Sequence, residues 1–188
     1  MRIGVLAIQG GFSIHQNSLR NLYINPVEIK YERQLGICDA LIIPGGESTT
    51  ISKLLKKYNL INPIKEFAKL KPILGTCAGL ILMSKDSKDP RVENMNIIDI
   101  QVERNGWGRQ VESFSQMINI KNNTTRKIEA VFIRAPKIIK IGENVEVLAE
   151  FNGEPVFIKH GIHYATTFHP ELTEDTTVHK LFIESIAA

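Results

Sequence analysis

Along the first half of the chain, short apolar runs alternate with segments whose apolar residues recur every three or four positions. Ile3–Ile8 is a continuous apolar run, as expected of a strand buried on both faces. Gly10-Gly11 turns the chain, and His15–Leu22 then has helical spacing with Leu19 and Leu22 on one face. Val27–Tyr31, after Pro26, and Asp39–Ile43, ended by Pro44-Gly45-Gly46, read as the second and third strands. Thr49–Lys57 predicts a helix with Ile51, Leu54 and Leu55 on its buried face. Pro63–Leu70 predicts another helix and Pro72–Leu74 another strand. Such alternation predicts an α/β fold: a doubly wound, mostly parallel sheet with helices on both faces.

The second half changes character. Ile97–Glu103, Val111–Ile120, Ala130–Arg134, Val145–Phe151, Pro155–Lys159 and His163–Phe168 are mostly strand-like, separated by Gly, Asn and Pro turns. Some are expected to extend the sheet and others to form antiparallel hairpins. Thr176–Ile186 carries Val178, Leu181, Phe182 and Ile186 at helical spacing and predicts a C-terminal helix packed on the sheet. The polar stretches Ser84–Asn96 and Asn122–Lys127 read as loops. Neither is long enough to separate two domains, so residues 1–188 read as one domain with a core that needs no staples.

Composition narrows the class. The 188 residues are 43% hydrophobic and 23% charged, with 23 Lys and Arg against 20 Asp and Glu for a net charge of +3. The basic residues are scattered, so the charge reads as solubility and not as a nucleic-acid footprint. Two cysteines, Cys38 and Cys77, do not make a disulfide framework. The opening apolar run is too short for a signal-peptide core. No apolar stretch reaches the roughly 18–20 residues that span a bilayer. The expectation is a cytoplasmic protein with no membrane and no nucleic-acid partner.

One cysteine has a setting of its own. Gly75-Thr76-Cys77-Ala78-Gly79 follows an apolar strand and precedes Leu80-Ile81-Leu82-Met83. This G-x-C-x-G at a strand-to-helix junction matches a nucleophile elbow, with Cys in place of Ser. An elbow residue sits in a tight turn with strained backbone angles, so its neighbours must be small. The thiol then stands at a helix N-terminus, where backbone N–H groups favour the thiolate. A free cysteine without such flanks is usually a small buried hydrophobe, and Cys38 is read that way.

A thiolate nucleophile needs a partner that moves protons. Of the five histidines, only His169 lies in a compact polar group at a strand end, in Thr167-Phe168-His169-Pro170-Glu171-Leu172. Pro170 fixes the backbone, and Glu171 is placed to set the imidazole tautomer as a triad carboxylate does. His179 falls on the C-terminal helix and reads as part of a solvated face. His15, His160 and His163 show no evident partner. The oxyanion donors are expected to be backbone N–H groups: Ala78, directly after the nucleophile, and Gly46 in Pro44-Gly45-Gly46-Glu47-Ser48-Thr49, with Gly10 a third candidate. In that loop Glu47 and Ser48 are placed to bind the amino end of a substrate, or Ser48 simply caps the next helix. No residues show metal-ligand spacing, and no cofactor is implied.

Together the Pro44–Thr49 loop, the Cys77 elbow and His169-Pro170-Glu171 resemble the class I glutamine amidotransferases. Ala7-Ile8-Gln9-Gly10, the stretch from Glu103-Arg104-Asn105-Gly106-Trp107-Gly108-Arg109-Gln110 to Phe114, and Val131-Phe132-Ile133-Arg134-Ala135-Pro136 narrow the resemblance. These look like the glutaminase subunits of pyridoxal 5′-phosphate synthase, the PdxT family, over nearly the whole chain. The resemblance implies Cys77 as nucleophile, completed by His169 and Glu171, and L-glutamine contacts at Gly46, Glu47, Ser48, Arg104, Ile133 and Arg134. An arginine suits the glutamine α-carboxylate, which a guanidinium grips with two hydrogen bonds. The residues alone favour a structural ion pair for Arg104 and Arg134. The implied partner is a (β/α)₈-barrel synthase in a large hetero-oligomer, which takes up the ammonia. Ile14 stands before His15, where the family usually carries an acid. Two other readings stay open: the glutaminase of another amidotransferase, such as imidazole-glycerol-phosphate synthase, and a redox-sensing or chaperone-like module built on the same elbow.

Overall fold

In chain order the elements are β1 (Ile3–Leu6), α1 (Phe12–Asn21), β2 (Pro26–Ile29), β3 (Ala40–Ile43), α2 (Ser48–Lys57), α3 (Ile61–Ala68), β4 (Ile73–Thr76) and α4 (Ala78–Met83). There follow β5 (Ser84–Asp86), β6 (Ile98–Glu103), β7 (Ser113–Ile120), β8 (Asn123–Ile133), β9 (Lys137–Ile141), β10 (Val145–Phe151), β11 (Glu154–His160), β12 (His163–Thr166) and α5 (Thr177–Ala187). The computed structural model describes residues 1–106, 113–121 and 123–187, without the side chains of 123–126 and 187. Val111 and Glu112 of the sixth expected strand, and residues 107–112 of the motif around Trp107, lie outside the described residues.

The main sheet has nine strands in the order β2-β1-β3-β4-β12-β11-β10-β7-β8. From β2 to β12 every pairing is parallel. From β12 to β8 every pairing is antiparallel. The alternating first half of the sequence therefore builds the parallel part, closed by β12, and the hairpin-rich second half extends it, as the change in pattern predicts. A second sheet, β5-β6-β9, packs beside it.

Strand alternation divides the core. Leu41, Ile43 and Ile73 point into one cluster with Ile51 and Leu55 of α2, Ile64 of α3, and Leu80 and Leu82 of α4. Ala40, Ile42 and Leu74 point into the other, with Leu19 of α1 and Val178 and Phe182 of α5. Helices thus cover both faces, which is why these strands read as continuous apolar runs.

Three local expectations are corrected. Ser84–Asp86 is a short strand within a stretch read as loop, and β8 begins at Asn123 within the other. Lys137–Ile141, not among the expected strands although it carries Ile138, Ile139 and Ile141 beside two lysines, is a strand that pairs antiparallel with β6 and buries Ile138. A 3₁₀ turn at Glu32–Ile37 joins β2 to β3. The parallel arrangement brings the carboxyl ends of β1, β3, β4 and β12 to one edge, where open α/β sheets bind their ligands.

Candidate active site

Cys77 sits between β4 and α4 at φ 47° and ψ −99°, outside the regions that L-residues favour. Its N–H donates to Thr166 O at 2.9 Å, which anchors the turn to the neighbouring strand. The flanking glycines are required for close approach. A Cβ on Gly75 would lie 2.5 Å from Met83 Sδ and 2.8 Å from Gly79 C, and one on Gly79 would lie 2.0 Å from Ile43 O. Helix α4 therefore folds straight back onto β3 and β4 and leaves Cys77 at the tip, 6% exposed. Ala78 is the first residue of α4, so its N–H has no intrahelical acceptor.

His169 follows β12, and its N–H donates to Val131 O at 2.8 Å. Pro170 then starts a 3₁₀ turn, Pro170–Leu172, which folds Glu171 back toward the imidazole. Glu171 Oε1 lies 2.7 Å from His169 Nδ1. Burial alone would lower the imidazole, but hydrogen bonds to Cys77 and Glu171, and the charges of both, raise it to about 10. Burial alone would raise Glu171, which is 3% exposed, but His15 and His169 bring it down to about 2. Cys77, His169 and Glu171 thus come together in one line, as the sequence motifs predict. Gly45 closes one side: a Cβ there would lie 2.3 Å from His169 Cε1 and 3.3 Å from Cys77 Cβ.

Behind Glu171 lie two side chains that the motifs did not flag. His15, on α1, has Nε2 3.3 Å from Glu171 Oε2 and 3.1 Å from Thr76 Oγ1. Its Nδ1 is 2.9 Å from His179 Nε2, on α5. His15 and His179 are both fully buried, which corrects the readings of His179 as solvated and of His15 as lacking a partner. The signal for His179 was its spacing: His179, Phe182 and Ile186 share one helical face. His163 is also partnered, accepting the Ile73 N–H at 3.2 Å, and His160 Nδ1 lies 3.3 Å from Ile97 O.

The loop after β3 is held by its neighbours. Gly11 N–H donates to Gly45 O at 3.0 Å, and Gly45 N–H donates to Thr76 Oγ1 at 3.0 Å. Gln9 Oε1 accepts the Glu47 N–H at 3.1 Å, a role for Gln9 that no motif announced. Gly10, at φ 96°, lies so close that a Cβ would be 2.0 Å from Gly45 O. The cap of α2 is Glu47, not Ser48. The Glu47 carboxylate accepts from Thr49 N–H at 3.3 Å and from Thr50 N–H at 2.6 Å, and takes both threonine hydroxyls. Burial opposes its charge, but these bonds bring it to about 2. Ser48 Oγ is buried and has no partner among the described residues.

Arg104 Nη2 pairs with Glu47 Oε1 at 2.5 Å, and Nη1 lies 3.4 Å from Asp89 Oδ2. Asp89 is in turn gripped by Arg91 at 2.7 Å. Here the structural ion pair that the residues favoured for Arg104 is present. Ile133 and Arg134 are exposed at the end of β8, two and three residues beyond the Val131 carbonyl that His169 engages, and Arg134 holds φ 44°. Among the described residues no group of three or more His, Cys, Asp or Glu side chains is disposed to hold a metal ion. Among the same residues no helix is long and apolar enough to cross a membrane.

Comparison with known proteins gives a consistent set of matches. Residues 5–188 match the SNO glutamine amidotransferase family. The pyridoxal 5′-phosphate synthase subunit PdxT of Shouchella clausii is 47% identical, covering 100% of this chain and 96% of its own. The subunit of the same name from Thermotoga maritima is 42% identical, covering 99% of this chain and 100% of its own. A crystal structure of a glutamine amidotransferase superposes with a TM-score of 0.93 at 39% identity, covering 99% of both chains. A glutamine amidotransferase from Thermotoga maritima, 15% identical, matches with a TM-score of 0.63 over 100% of this chain and 82% of that one, a likeness of fold alone.

Proposed function

We propose that this chain, which belongs to the SNO glutamine amidotransferase family, hydrolyses L-glutamine to L-glutamate and ammonia and delivers the ammonia to a pyridoxal 5′-phosphate synthase partner. The observation that carries the reading is Cys77 at φ 47° on the elbow, backed by His169 with Glu171 2.7 Å from its Nδ1. Cys77 attacks the side-chain amide carbon of glutamine while His169 accepts the thiol proton. The negative oxygen that forms is met by the N–H groups of Ala78 and Gly46, with Gly10 holding the Gly45–Gly46 loop in place. His169 then protonates the leaving ammonia, and a glutamyl thioester remains. A water molecule, activated by His169, attacks the thioester and releases glutamate. Glu171 orients the imidazole and stabilises its charged form.

Glutamine is bound by the Gly46–Ser48 loop, where Ser48 Oγ is a buried hydroxyl without a partner among the described residues. Arg104, Ile133 and Arg134 complete the pocket. Arg134 supplies the grip on the α-carboxylate, because Arg104 is engaged by Glu47 and Asp89. The chain acts as a single glutaminase domain. The name shared by its relatives favours a pyridoxal phosphate synthase over the synthase of another amidotransferase. That partner is a (β/α)₈ barrel, and the two chains form a hetero-oligomer. The redox-module reading is disfavoured because such a module needs no imidazole–carboxylate pair behind its cysteine.

The testing experiment measures glutamate release from glutamine by the chain alone and with saturating synthase. Glutamate release that rises with synthase is expected. Docking at the edge that carries Gly10 and Gly46 would complete the oxyanion hole, and one such donor is worth about 10²–10³ in rate. No glutamate in either case would overturn the proposal. Equal rates in both would remove the gate and leave the hydrolysis.

A further inference from the structure

Glu171 is held from two sides, and the second side is outside the triad. One carboxylate oxygen, Oε1, faces His169 Nδ1 at 2.7 Å. The other, Oε2, faces His15 Nε2 at 3.3 Å. Only the contact of His15 Nε2 with Thr76 Oγ1, at 3.1 Å, has hydrogen-bond geometry, so the His15–Glu171 contact is one of facing dipole and charge. His15 and His179 are both 0% exposed, and Glu171 is 3% exposed.

Proton counting in this dry cluster leaves one arrangement. A ring nitrogen beside an ionised carboxylate must carry its hydrogen, because a lone pair there would be repelled. His15 Nε2 is therefore N–H, shared between Thr76 Oγ1 and the field of Glu171. Burial lowers His15, and His169 lowers it further against the opposing pull of Glu171, which favours the neutral ring. Its Nδ1 is then an acceptor, and the atom 2.9 Å away, His179 Nε2, must be the donor. That leaves His179 Nδ1 unprotonated, and it is the nitrogen with no partner among the described residues. Burial brings His179 to about 3, with His15 also lowering it and Glu171 and Asp175 opposing. The charged groups around the pair are thus Glu171 and His169 toward the site and Asp175 near His179. Each N–H in the chain points the same way, from α5 through α1 to the carboxylate, and hydrogen bonds in such a chain polarise one another.

A further strand of the network runs forward. Thr76 Oγ1, which receives His15, also accepts the Gly45 N–H at 3.0 Å. Gly45 packs on His169 and Cys77. Thr76 is therefore a junction between the carboxylate support and the loop beside the nucleophile.

We propose that His15, locked in its Nε2–H tautomer by His179, is a positioning residue that holds Glu171 turned with Oε1 on His169 and, through Thr76, ties that setting to the Gly45 loop. The proposal rests on the triad reading above. Outer partners that fix the ring or carboxylate of a working group typically matter by about 10–100-fold.

The test uses the full chain with its synthase and four variants: His15→Phe, His15→Gln, His179→Leu and His179→Gln. In each glutamine, Nε2 carries N–H near the place of imidazole Nε2, so these variants restore the donor. His15→Phe is expected to lower kcat about 10–100-fold with KM within about twofold, and His15→Gln to recover most of it. His179→Leu is expected to act in the same direction and more weakly, with recovery in His179→Gln. A second readout needs no glutamine: the pH dependence of Cys77 alkylation by iodoacetamide, followed on the Cys77 peptide. With Glu171 loosened, the imidazolium that receives the thiol proton is less stable, so the half-maximal pH should rise by about half a unit in His15→Phe and return in His15→Gln. If His15→Phe fails to fold, the His179 pair carries the same comparison. An unchanged alkylation profile and unchanged kcat in the variants that fold would overturn the proposal. So would equal losses in the Phe and Gln variants of His15, because the restored N–H donor would then make no difference. A Cys77→Ala chain that still turns over glutamine would instead overturn the triad reading, a result visible before any His15 variant is made.

Discussion

Two polar networks meet at the loop after β3, and they are built on opposite principles. Behind the nucleophile, Cys77, His169, Glu171, His15 and His179 form a line of nearly or fully buried groups that reaches from the elbow to α5. At the rim, Glu47, Arg104, Asp89 and Arg91 form a line of partly exposed charges. The buried line has few partners and little exposure to solvent, so each member depends on the next, and removing one leaves another uncompensated. The rim line has redundant partners: Glu47 keeps four hydrogen-bond donors from α2 even without Arg104. Under the proposed function, the chemistry is seated where geometry is over-determined, and substrate contacts where charges can rearrange.

The sharpest way to break that contrast is at the nucleophile. Cys77→Ala is expected to abolish glutamine hydrolysis with the thermal midpoint nearly unchanged, since alanine suffers the positive φ no more than cysteine does. Cys38, equally buried, has its thiol raised by burial and donates to Gln34 O at 3.3 Å. Cys38→Ala should keep the activity, and a reactive glutamine analogue should label Cys77 alone. Wild-type glutamate release from Cys77→Ala would remove the elbow from the mechanism.

One step back along the buried line, Glu171→Gln should keep glutamine binding and slow turnover. Comparable changes in serine enzymes lose up to about 10⁴ in rate, and a cysteine nucleophile, less dependent on its base, should lose less. The same variant has a pH signature. Glu171 is depressed from 4.5 to about 2 in the folded chain, so the stability it contributes is complete above about 4.5 and is lost as pH falls toward 2. The wild-type thermal midpoint should fall over that window, and the fall should be shallower in Glu171→Gln. An identical acid limb in both proteins would show that Glu171 is not held as the geometry indicates.

The parts of this site that were legible in the sequence are those whose constraint is local. Gly75 and Gly79 announce the elbow because α4 folds back on its own strand, and His169 and Glu171 are two residues apart on a proline-started turn. The rest joins residues distant in sequence. His15 and His179 are 164 positions apart, and nothing near either one in the chain says that the other fills its hydrogen bond. Gln9 and Glu47 meet only because β1 and β3 are adjacent strands. The same divide holds for the fold. Continuous apolar runs marked β1, β3 and β4, whereas Lys137–Ile141 is short, is broken by Lys140, and finds its partner β6 more than thirty residues upstream. The cap offered as the alternative role of Ser48 falls instead to Glu47, one residue earlier, whose carboxylate takes the amides of Thr49 and Thr50.

The smallest effect belongs to the rim, and it decides whether the two networks differ as described. The Glu47 and Arg104 side chains are 39% and 26% exposed, so their pair is screened by solvent and salt. Partly exposed pairs of this kind contribute about 0–1 kcal/mol. In a chain of this size 1 kcal/mol moves the thermal midpoint by about 2–4 °C. Arg104→Gln should therefore lower the midpoint by no more than that, and by less still at about 0.5 M salt. Breaking a buried pair by removing one partner typically costs about 3–5 kcal/mol, and salt should not reduce it. In kinetics, Arg104→Gln should raise KM for glutamine more than it lowers kcat, because it borders the substrate and lies outside the line of Cys77, His169 and Glu171. Scanning calorimetry at two salt concentrations, with a glutamine titration beside it, checks both statements. A salt-insensitive drop in midpoint as large as that of a buried-pair variant would place Arg104 among the structural groups, and the distinction between a fixed interior and an adjustable rim would fail at its outer end.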